Sequence, residues 1–424
     1  MVGRRTFAKE VGRRKEAEEI IVAAARQRSA RPTLGRGVAS AAFAFVLTMG
    51  LVNLFGDATY EGGASINGPF LGSLGATGAM ISIIAGGGEF LGYSLRSVSG
   101  WVADKTGKYW PVTFVGYVIN LFAVPAMALA GNWQVAGALI LAERVGRAIR
   151  KPTVEAMLSY STGRLGTGWV YALNTALDET GATIGPLLMA LAVYRHVSYR
   201  SAYSLLTISA GLALMALIVA RIVFPVPSRL AEQGEGTAKS RRFTGAFWWY
   251  MVAAACFGSG LMSYEFVSFH LSSHGTVGDS WIPLFLAIAT FGGIIASLVL
   301  GRLYDRIGVR AVIIAVVVSA FFSPLVFLGG FGVALAGLVL WGIGYATQDT
   351  LLKAVVADRL PEGRRNFAFG IFYAGYGGGW LLGSIATGLL YRVSVTAVVA
   401  FSMSVQLGSI PIFLFARHME ARAG

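Results

Sequence analysis

Two segments of the chain share one pattern, GWVADKTGKY at residues 100–109 and GRLYDRIGVR at residues 301–310. Each has a glycine, three spacer residues, an acid, a base, one more spacer and a second glycine, and further basic charge follows. The copies lie 201 residues apart in a chain of 424 residues, and each follows a long apolar stretch. A repeat about half the chain long predicts two copies of one structural module.

The composition predicts an integral membrane protein. The chain is 55% hydrophobic and 13% charged, with a mean hydropathy of +0.64, whereas soluble globular chains carry about 25% charged residues. The apolar runs are continuous rather than alternating, which predicts spanning helices and not a barrel. Twelve runs have the length needed to cross a bilayer, near residues 38–66, 77–102, 110–130, 135–156, 168–193, 200–224, 245–271, 282–301, 310–329, 332–354, 367–391 and 394–416.

The distribution of basic residues predicts the orientation. Most Lys and Arg fall in segments that lie inside if the N-terminus is inside, and only Arg195, Arg200 and Arg392 fall in outside loops. This is the positive-inside pattern, so both termini and both repeated segments should be cytoplasmic. The net charge of +14 then reflects an affinity for anionic lipid headgroups. It does not indicate nucleic-acid binding, because no basic patch is interleaved with stacking aromatics.

These observations predict an all-α membrane protein with four parts. A basic cytoplasmic arm occupies residues 1–36, a six-helix bundle 37–224, a cytoplasmic linker rich in Pro and Gly 225–243, and a second bundle with a short tail 244–424. We expect a monomer in the cell membrane. Cys256 is the only cysteine, so no Cys-based metal site is expected, and the pair His270 and His274 is expected to form a polar face rather than a metal site.

The paired segments resemble the loop motif between the second and third helices of the major facilitator superfamily, and the resemblance extends along nearly the whole chain. It implies two six-helix bundles that rock about a central site to give alternating access. It also implies that the two motifs hold the cytoplasmic gate shut when the cavity faces outward. The gate residues would be Gly100, Asp104, Lys105, Gly107, Lys108, Gly301, Asp305, Arg306, Gly308 and Arg310.

The fifth predicted span contains Gly181, Gly185 and Pro186, which resemble part of the fifth-helix motif of facilitator antiporters. The match is incomplete, because Met189 and Ala190 stand where the family pattern has a further glycine pair. A seam of small residues with a proline kink explains the same residues without antiport. The resemblance favours antiport over that alternative.

Charged residues inside the spans are candidates for function, because a charge within the bilayer is costly unless it faces a cavity or a partner. Asn53, Asp57 and Glu61 lie at i, i+4 and i+8 and share one helical stripe. Tyr264 and Glu265 in the seventh span mirror Tyr60 and Glu61, which predicts two acids at similar depth in opposite halves. The pattern indicates a cavity that binds protons or a cation. The alternative is that Glu61 and Glu265 are solvated at the outer mouth.

The second, fourth and fifth spans add further candidates. Glu89 could carry protons or pair with a basic group on a neighbouring helix. Arg144 resembles the family's proton-coupling arginine, which lies beside a carboxylate of the first helix, here Asp57 or Glu61. Arg150 and Lys151 are expected on the cytoplasmic rim. The predicted proton-coupling residues are Asp57, Glu61, Glu89, Arg144, Arg147, Asp178 and Glu265, and the predicted substrate-cavity residues are Asn53, Tyr60, Asn174, Tyr264, Tyr345, Gln348 and Tyr376.

These candidates predict a secondary active transporter, coupled to protons and exporting a small cationic or neutral amphipathic molecule by antiport. The alternative within transport is proton symport of an organic anion, with Arg144 and Arg147 as its counter-charges. A receptor or scaffold on the same fold is the alternative outside transport. An enzyme is not expected, because no nucleophile–base pair, metal cluster or phosphate-binding loop is present in the sequence. No cofactor is expected.

Overall fold

The computed structural model of the protein describes residues 40–161, 165, 167–230, 245–352, 355 and 365–423. None of these residues lies in a β-strand. Six helices form what we call the N-half: α1 (Ser40–Ser73), α2 (Gly78–Thr106), α3 (Tyr109–Ala126), α4 (Trp133–Ser159), α5 (Thr167–Tyr194) and α6 (Tyr199–Val223). The C-half contains α7 (Gly245–Gly260), α8 (Tyr264–Ser273), α9 (Trp281–Ile307), α10 (Val309–Ala320), α11 (Phe322–Leu328), α12 (Phe331–Ala346), a π-helical turn (Thr347–Leu352), α13 (Arg365–Tyr391) and α14 (Val395–Ala423).

Nine helical segments of the described chain are long and apolar enough to cross a membrane. They are Ser40–Ser73, Tyr109–Leu129, Leu173–Tyr194, Tyr199–Val223, Gly245–Ser273, Trp281–Tyr304, Val309–Leu328, Phe331–Leu352 and Val395–Arg422. The remaining long helices are α2, α4 and α13. In α4 four charged residues lower the mean hydropathy, namely Glu143, Arg144, Arg147 and Arg150. The predicted arm at residues 1–36 and most of the predicted linker lie outside the described residues.

Polar caps set the starts of several helices. The side chain of Thr77 accepts a hydrogen bond from the Met80 amide at the start of α2, and Asn132 does the same for Val135 at the start of α4. Such caps satisfy amide groups that have no partner within the helix. The capped start of each helix therefore lies at the end of the bundle that the charge pattern assigns to the outside.

The seventh predicted span is two helices and not one. Residues 261–263 are non-helical between α7 and α8, and the indole N–H of Trp341 donates to the Met262 carbonyl at 2.7 Å. The bond gives the Met262 carbonyl a partner at the point where the helix is interrupted. Backbone polar groups inside a membrane need such a partner within the protein. The break makes Glu265 a first-turn residue of α8, where the positive end of the helix dipole favours a carboxylate.

The repeated motif is mostly helical, whereas the sequence predicted a loop. Gly100–Thr106 forms the end of α2, and residues 301–307 form the end of α9. Only the second glycine of each motif makes the turn: Gly107 has φ +63° and Gly308 has φ +60°. Glycine adopts a positive φ without a steric penalty, so the spacing in the motif positions a helix end.

The two halves pack through pairs of helices, α2 along α13 and α5 along α9. On α13 the backbone of Gly377 lies against Phe90 and Tyr93, and that of Gly388 lies against Ala79. The Ser82 hydroxyl donates to the Ser384 carbonyl across the same contact at 2.7 Å. The halves are thus in contact from the Ala79 end of α2 to the level of Tyr93.

Glycine seams join the helices within each half at matching positions. A Cβ at Gly181 or Gly185 of α5 would meet the carbonyl groups of Leu54 or Ala58 on α1. Correspondingly, a Cβ on α13 would meet the carbonyl groups of α7 at the pairs Gly379–Ala255 and Gly383–Ser259. The α7 partners lie 201 residues after their α1 counterparts, the same separation as the two sequence motifs.

Candidate functional site

A buried ionic cluster lies where the two halves meet. Arg144 on α4 makes ion pairs with Glu265 at 3.0 Å, Glu89 at 3.4 Å and Glu143 at 3.4 Å. The side chains of Arg144 and Glu265 are only 8% and 3% exposed. We call Glu89, Glu143, Arg144, Arg147 and Glu265 the Arg144 cluster. Three carboxylates around one guanidinium leave negative charge in excess, which a second cation or a proton can neutralise.

Arg147 extends this cluster towards α1. Its guanidinium is 3.7 Å from Glu89 and lies over the Tyr60 ring, 4.8 Å from the ring centroid. Glu61 interacts electrostatically with Arg147, Arg144 and Glu265. Glu89 contacts both arginines, Arg144 and Arg147, which is the pairing that one of the two alternatives predicted. Its role as a proton carrier stays a prediction.

Glu61 and Glu265 are not level with each other along the backbone. The backbone of Gly68 on α1 lies against the Glu265 carbonyl, and Gly68 is about two helical turns from Glu61. The short non-helical break before α8 shifts this helix away from the position that the internal repeat predicts for it. Both acids nevertheless interact with Arg144, Glu265 through an ion pair and Glu61 electrostatically.

A second polar cluster lies within the N-half. Arg150 pairs with Asp57 at 3.2 Å and donates to the Tyr117 hydroxyl at 3.0 Å. The Tyr117 hydroxyl donates to Asn53 Oδ1 at 2.6 Å. Asp57 also contacts Asp178, and Asn53 donates to Asn174 Oδ1 at 2.9 Å. We call Asn53, Asp57, Tyr117, Arg150 and Asp178 the Asp57 cluster.

This arrangement corrects two expectations. Arg150 was expected on the cytoplasmic rim, but it is 4% exposed and is the arginine that pairs with Asp57. Arg144 was expected beside Asp57 or Glu61. Asp57 is not among its ion-pair partners, which are Glu89, Glu143 and Glu265, whereas Glu61 interacts with it electrostatically. The reason is helical phase: Arg150 lies six residues after Arg144, so the two side chains point about 120° apart around α4, and Arg150 faces α1 and α3.

Aromatic side chains form the C-half wall opposite these acids. Tyr345 lies within electrostatic range of Glu89, Glu265 and Arg144, and its ring is 5.6 Å from that of Trp380. Gln348, in the π-helical turn, donates to the Tyr93 hydroxyl and accepts from the Tyr376 hydroxyl at 2.7 Å. Gln348 therefore links α2 to the C-half, and π-helical turns are frequent at functional sites.

Three substrate-cavity candidates are held by contacts within the protein. The Tyr264 hydroxyl donates to the Ile282 carbonyl and its ring packs against Trp341, so it supports the start of α9. Asn53 and Asn174 are bonded to each other. Tyr60, by contrast, lines a small pocket in the N-half together with Asn67 and Glu143.

The predicted gate residues lie apart from the buried clusters. Lys105, Lys108, Arg306 and Arg310 are exposed, and the Lys105 ammonium lies 4.7 Å from the Trp101 ring centroid. The side chains of Asp104 and Asp305 lie outside the described part of the structure, so their predicted role stays a prediction. Pro186 continues α5 as an internal proline, one position after Gly185.

The two histidines lie at the end of α8. His270 Nδ1 is 2.9 Å from the Tyr391 hydroxyl, and the rings of His270 and His274 are 4.2 Å apart. Within the described ranges no group of three or more His, Cys, Asp or Glu is arranged to hold a metal ion. The pair contributes to the contact of α8 with α13.

Sequence reasoning missed several residues of the site. Glu143 was assigned no role from the sequence, although it pairs with Arg144 at 3.4 Å and accepts a hydrogen bond from Asn120 Nδ2 at 2.9 Å. Tyr117 was not singled out, and Tyr93 was assigned no role in the site. Asn120 carried a usable signal, since an amide inside an apolar run needs a partner. The tyrosines carried none, because tyrosine is common at membrane interfaces.

Comparisons with known proteins agree with this architecture. The sequence model of the Major Facilitator Superfamily matches residues 33–345 and residues 277–423. An uncharacterised protein of Mycobacterium tuberculosis is 33% identical over 402 residues, which cover 93% of this chain and 96% of the relative. An uncharacterised MFS-type transporter of Methanocaldococcus jannaschii is 25% identical over 82% of this chain and 89% of its own length.

More distant relatives and solved structures extend the likeness. A probable sugar efflux transporter of Haemophilus influenzae is 25% identical over 66% of this chain and 69% of its own length. The crystal structure of the nucleoside transporter NupG superposes with a TM-score of 0.68 at 14% identity, covering 88% of this chain and 98% of that chain. The peptide transporter POT in complex with sulfate superposes with a TM-score of 0.70 at 12% identity, covering 90% and 95%.

Proposed function

Because the chain belongs to the Major Facilitator Superfamily, we propose that it is a proton-coupled antiporter that exports a small cationic or neutral amphipathic molecule. Twelve spans place both termini in the cytoplasm of the cell, and the N-half and C-half rock about the Arg144 cluster to expose it to either side. The sequence motifs and the α1 and α7 residues that contact the glycine seams share one separation along the chain, which supports two modules that move as units.

The charge balance of the site carries this proposal. Six carboxyl groups (Asp57, Glu61, Glu89, Glu143, Asp178 and Glu265) lie around Arg144, Arg147 and Arg150, with Lys151 near Asp57. At least two acids are thus unmatched by a basic group. Buried carboxyl groups without a counter-charge take up protons or attract a cation. A site of this kind can exchange one for the other.

The same balance disfavours proton symport of an organic anion. Arg144, Arg147 and Arg150 would have to serve as its counter-charges, but each already has a carboxylate partner within 3.7 Å. An anion would have to displace these carboxylates and would add charge to an acidic site. The Haemophilus relative is named as an efflux transporter, which supports export as the direction of transport. Its named substrate is a sugar and those of the structural neighbours are nucleosides and peptides, which supports including neutral molecules in the substrate class.

Proteoliposomes test the direction of coupling. The full-length protein is reconstituted into vesicles that are acidic inside and contain the pH dye pyranine, and quaternary ammonium or phosphonium ions are added outside. Tetraphenylphosphonium, ethidium and benzoylcholine are suitable, because they carry no dissociable ammonium proton across the bilayer. Antiport raises the internal pH on addition, and symport lowers it. No protein-dependent pH change with this panel or with neutral analogues would refute proton-coupled antiport.

A further inference from the structure

One buried hydrogen-bond donor in the aromatic wall has no partner among the described residues. Trp380 on α13 is 1% exposed, and its indole N–H makes no hydrogen bond to the part of the chain that the structure describes. Two other tryptophan N–H groups are paired: that of Trp341 donates to the Met262 carbonyl and that of Trp110 donates to the Phe224 carbonyl. A buried donor without an acceptor is unfavourable, and an acceptor oxygen of a bound ligand would satisfy it.

The position of Trp380 connects it to the acidic site. Its ring lies 5.6 Å from that of Tyr345 and 6.0 Å from that of Tyr376. Tyr345 is half-buried, and its hydroxyl has no hydrogen bond to any described residue. The same Tyr345 lies within electrostatic range of Glu89 and Glu265. Two unused donors and two carboxylates therefore border one region between α2, α8, α12 and α13.

These groups take different roles in hydrogen bonds. An indole N–H is only a donor, and an ionised carboxylate is only an acceptor. Aromatic faces add attraction for planar groups and for cations. A complementary molecule has a positive end for the carboxylates, a flat body for the rings, and an oxygen acceptor for the donors.

We propose that Trp380 and Tyr345 form a subsite that binds the acceptor oxygen of a flat organic cation, whose positive charge lies against Glu89 and Glu265. The assignment rests on the proposed function, because it names the substrate class of the same central site. The ligand enters when the halves separate and gives the Trp380 N–H the partner that it lacks in this state. A site built to donate a hydrogen bond discriminates against an analogue that lacks the acceptor.

Two permanently charged probes of equal chain length separate this subsite from general cation binding. Benzoylcholine has a phenyl ring, an ester carbonyl and a quaternary ammonium group, and 4-phenylbutyltrimethylammonium lacks only the ester oxygens. Titration calorimetry on the purified full-length protein should give a Kd about tenfold lower for benzoylcholine. Trp380→Phe should abolish that preference and leave the Kd of the phenylbutyl probe unchanged.

A matched control variant and a second substitution in the subsite test this interpretation. Trp110→Phe removes an indole N–H that is already paired in the N-half, and it should leave the tenfold preference intact. Tyr345→Phe should reduce the preference about threefold and serves if Trp380→Phe does not fold. Equal Kd values for the two probes in the natural protein, or an unchanged preference in both central variants, would overturn the subsite.

The outcome of this binding experiment can be distinguished from the outcome of the transport experiment. If the probes bind with the expected preference but move no protons in the vesicle assay, antiport fails and the subsite stands. If other cations in the panel drive proton movement while neither probe binds, the transport proposal stands and the assigned substrate class is wrong.

Discussion

Arg144 on α4 and Glu265 on α8 form an ion pair of 3.0 Å that joins the two halves of the protein. Of the ion pairs between described side chains, this one alone links the N-half to the C-half. Both side chains are buried, so separation of the halves must break the pair in a low-dielectric environment unless a proton or a substrate cation replaces Arg144 beside Glu265. The pair thereby couples occupancy of the site to movement of the halves.

Exchange of the two charges tests this link. Arg144→Glu alone places an acid among three others, and Glu265→Arg alone places a second guanidinium beside Arg144. Each should abolish transport and lower stability by about 3–5 kcal/mol, as expected when a buried pair is broken. The double exchange should recover part of the lost stability, measured as Tm in detergent. If the double variant is as unstable as the sum of the single variants, the pair has no energetic role.

Asp57 is the carboxylate whose loss should stop proton coupling. It contacts Arg150 and Asp178 in the N-half, and Asp57→Asn keeps the shape of the side chain but cannot release a proton. We expect normal membrane insertion and no proton movement in the pyranine assay. Glu155→Gln is the matched control, since Glu155 is exposed on the same helix as Arg150. Full gradient-driven activity in the Asp57 variant would remove this residue from the mechanism.

The seam between α5 and α1 should not tolerate a side chain. In Gly185→Ala the new Cβ would press on the Ala58 carbonyl, and we expect a loss of about 1–3 kcal/mol, as for overpacked cores, together with slower transport. Gly211→Ala is the control, because nothing lies within 4 Å of a Cβ at that position on α6. It should keep or slightly raise Tm, since alanine favours helix over glycine. Equal Tm values for the two variants would show that the seam is loose.

The repeated motif should govern the rate of cycling rather than substrate recognition. Asp104→Asn and Asp305→Asn both retain size and remove charge. We expect each to lower the turnover rate several-fold while the Kd for benzoylcholine stays within twofold, because the motif ends α2 and α9 away from the buried clusters. Measuring proton flux and calorimetric Kd on the same preparation checks both statements. An unchanged flux in both variants would leave the motif without a gating role.

The sequence determined the family, the module repeat and the types of charged residue in the site, because these follow from composition, spacing and helical period. It placed Asp57, Glu61 and Asn53 on one stripe, and Asp57 and Asn53 indeed share one cluster. Tertiary structure alone decided which arginine faces which acid. A helical stripe fixes a direction only relative to its own axis, so Arg150, and not Arg144, meets Asp57 once α4 packs against α1 and α3.

The break in the seventh span was equally beyond the sequence. Residues 261–263 lie within an apolar run that reads as continuous helix, and the bond from Trp341 that supports the break comes from α12, 79 residues away in sequence. The long-range contacts that place Glu265 beside Arg144 and Trp380 beside Tyr345 depend on how the helices pack. Hydrophobic pattern is a local property of the chain, whereas the pairing of buried polar groups is settled only when distant helices come together.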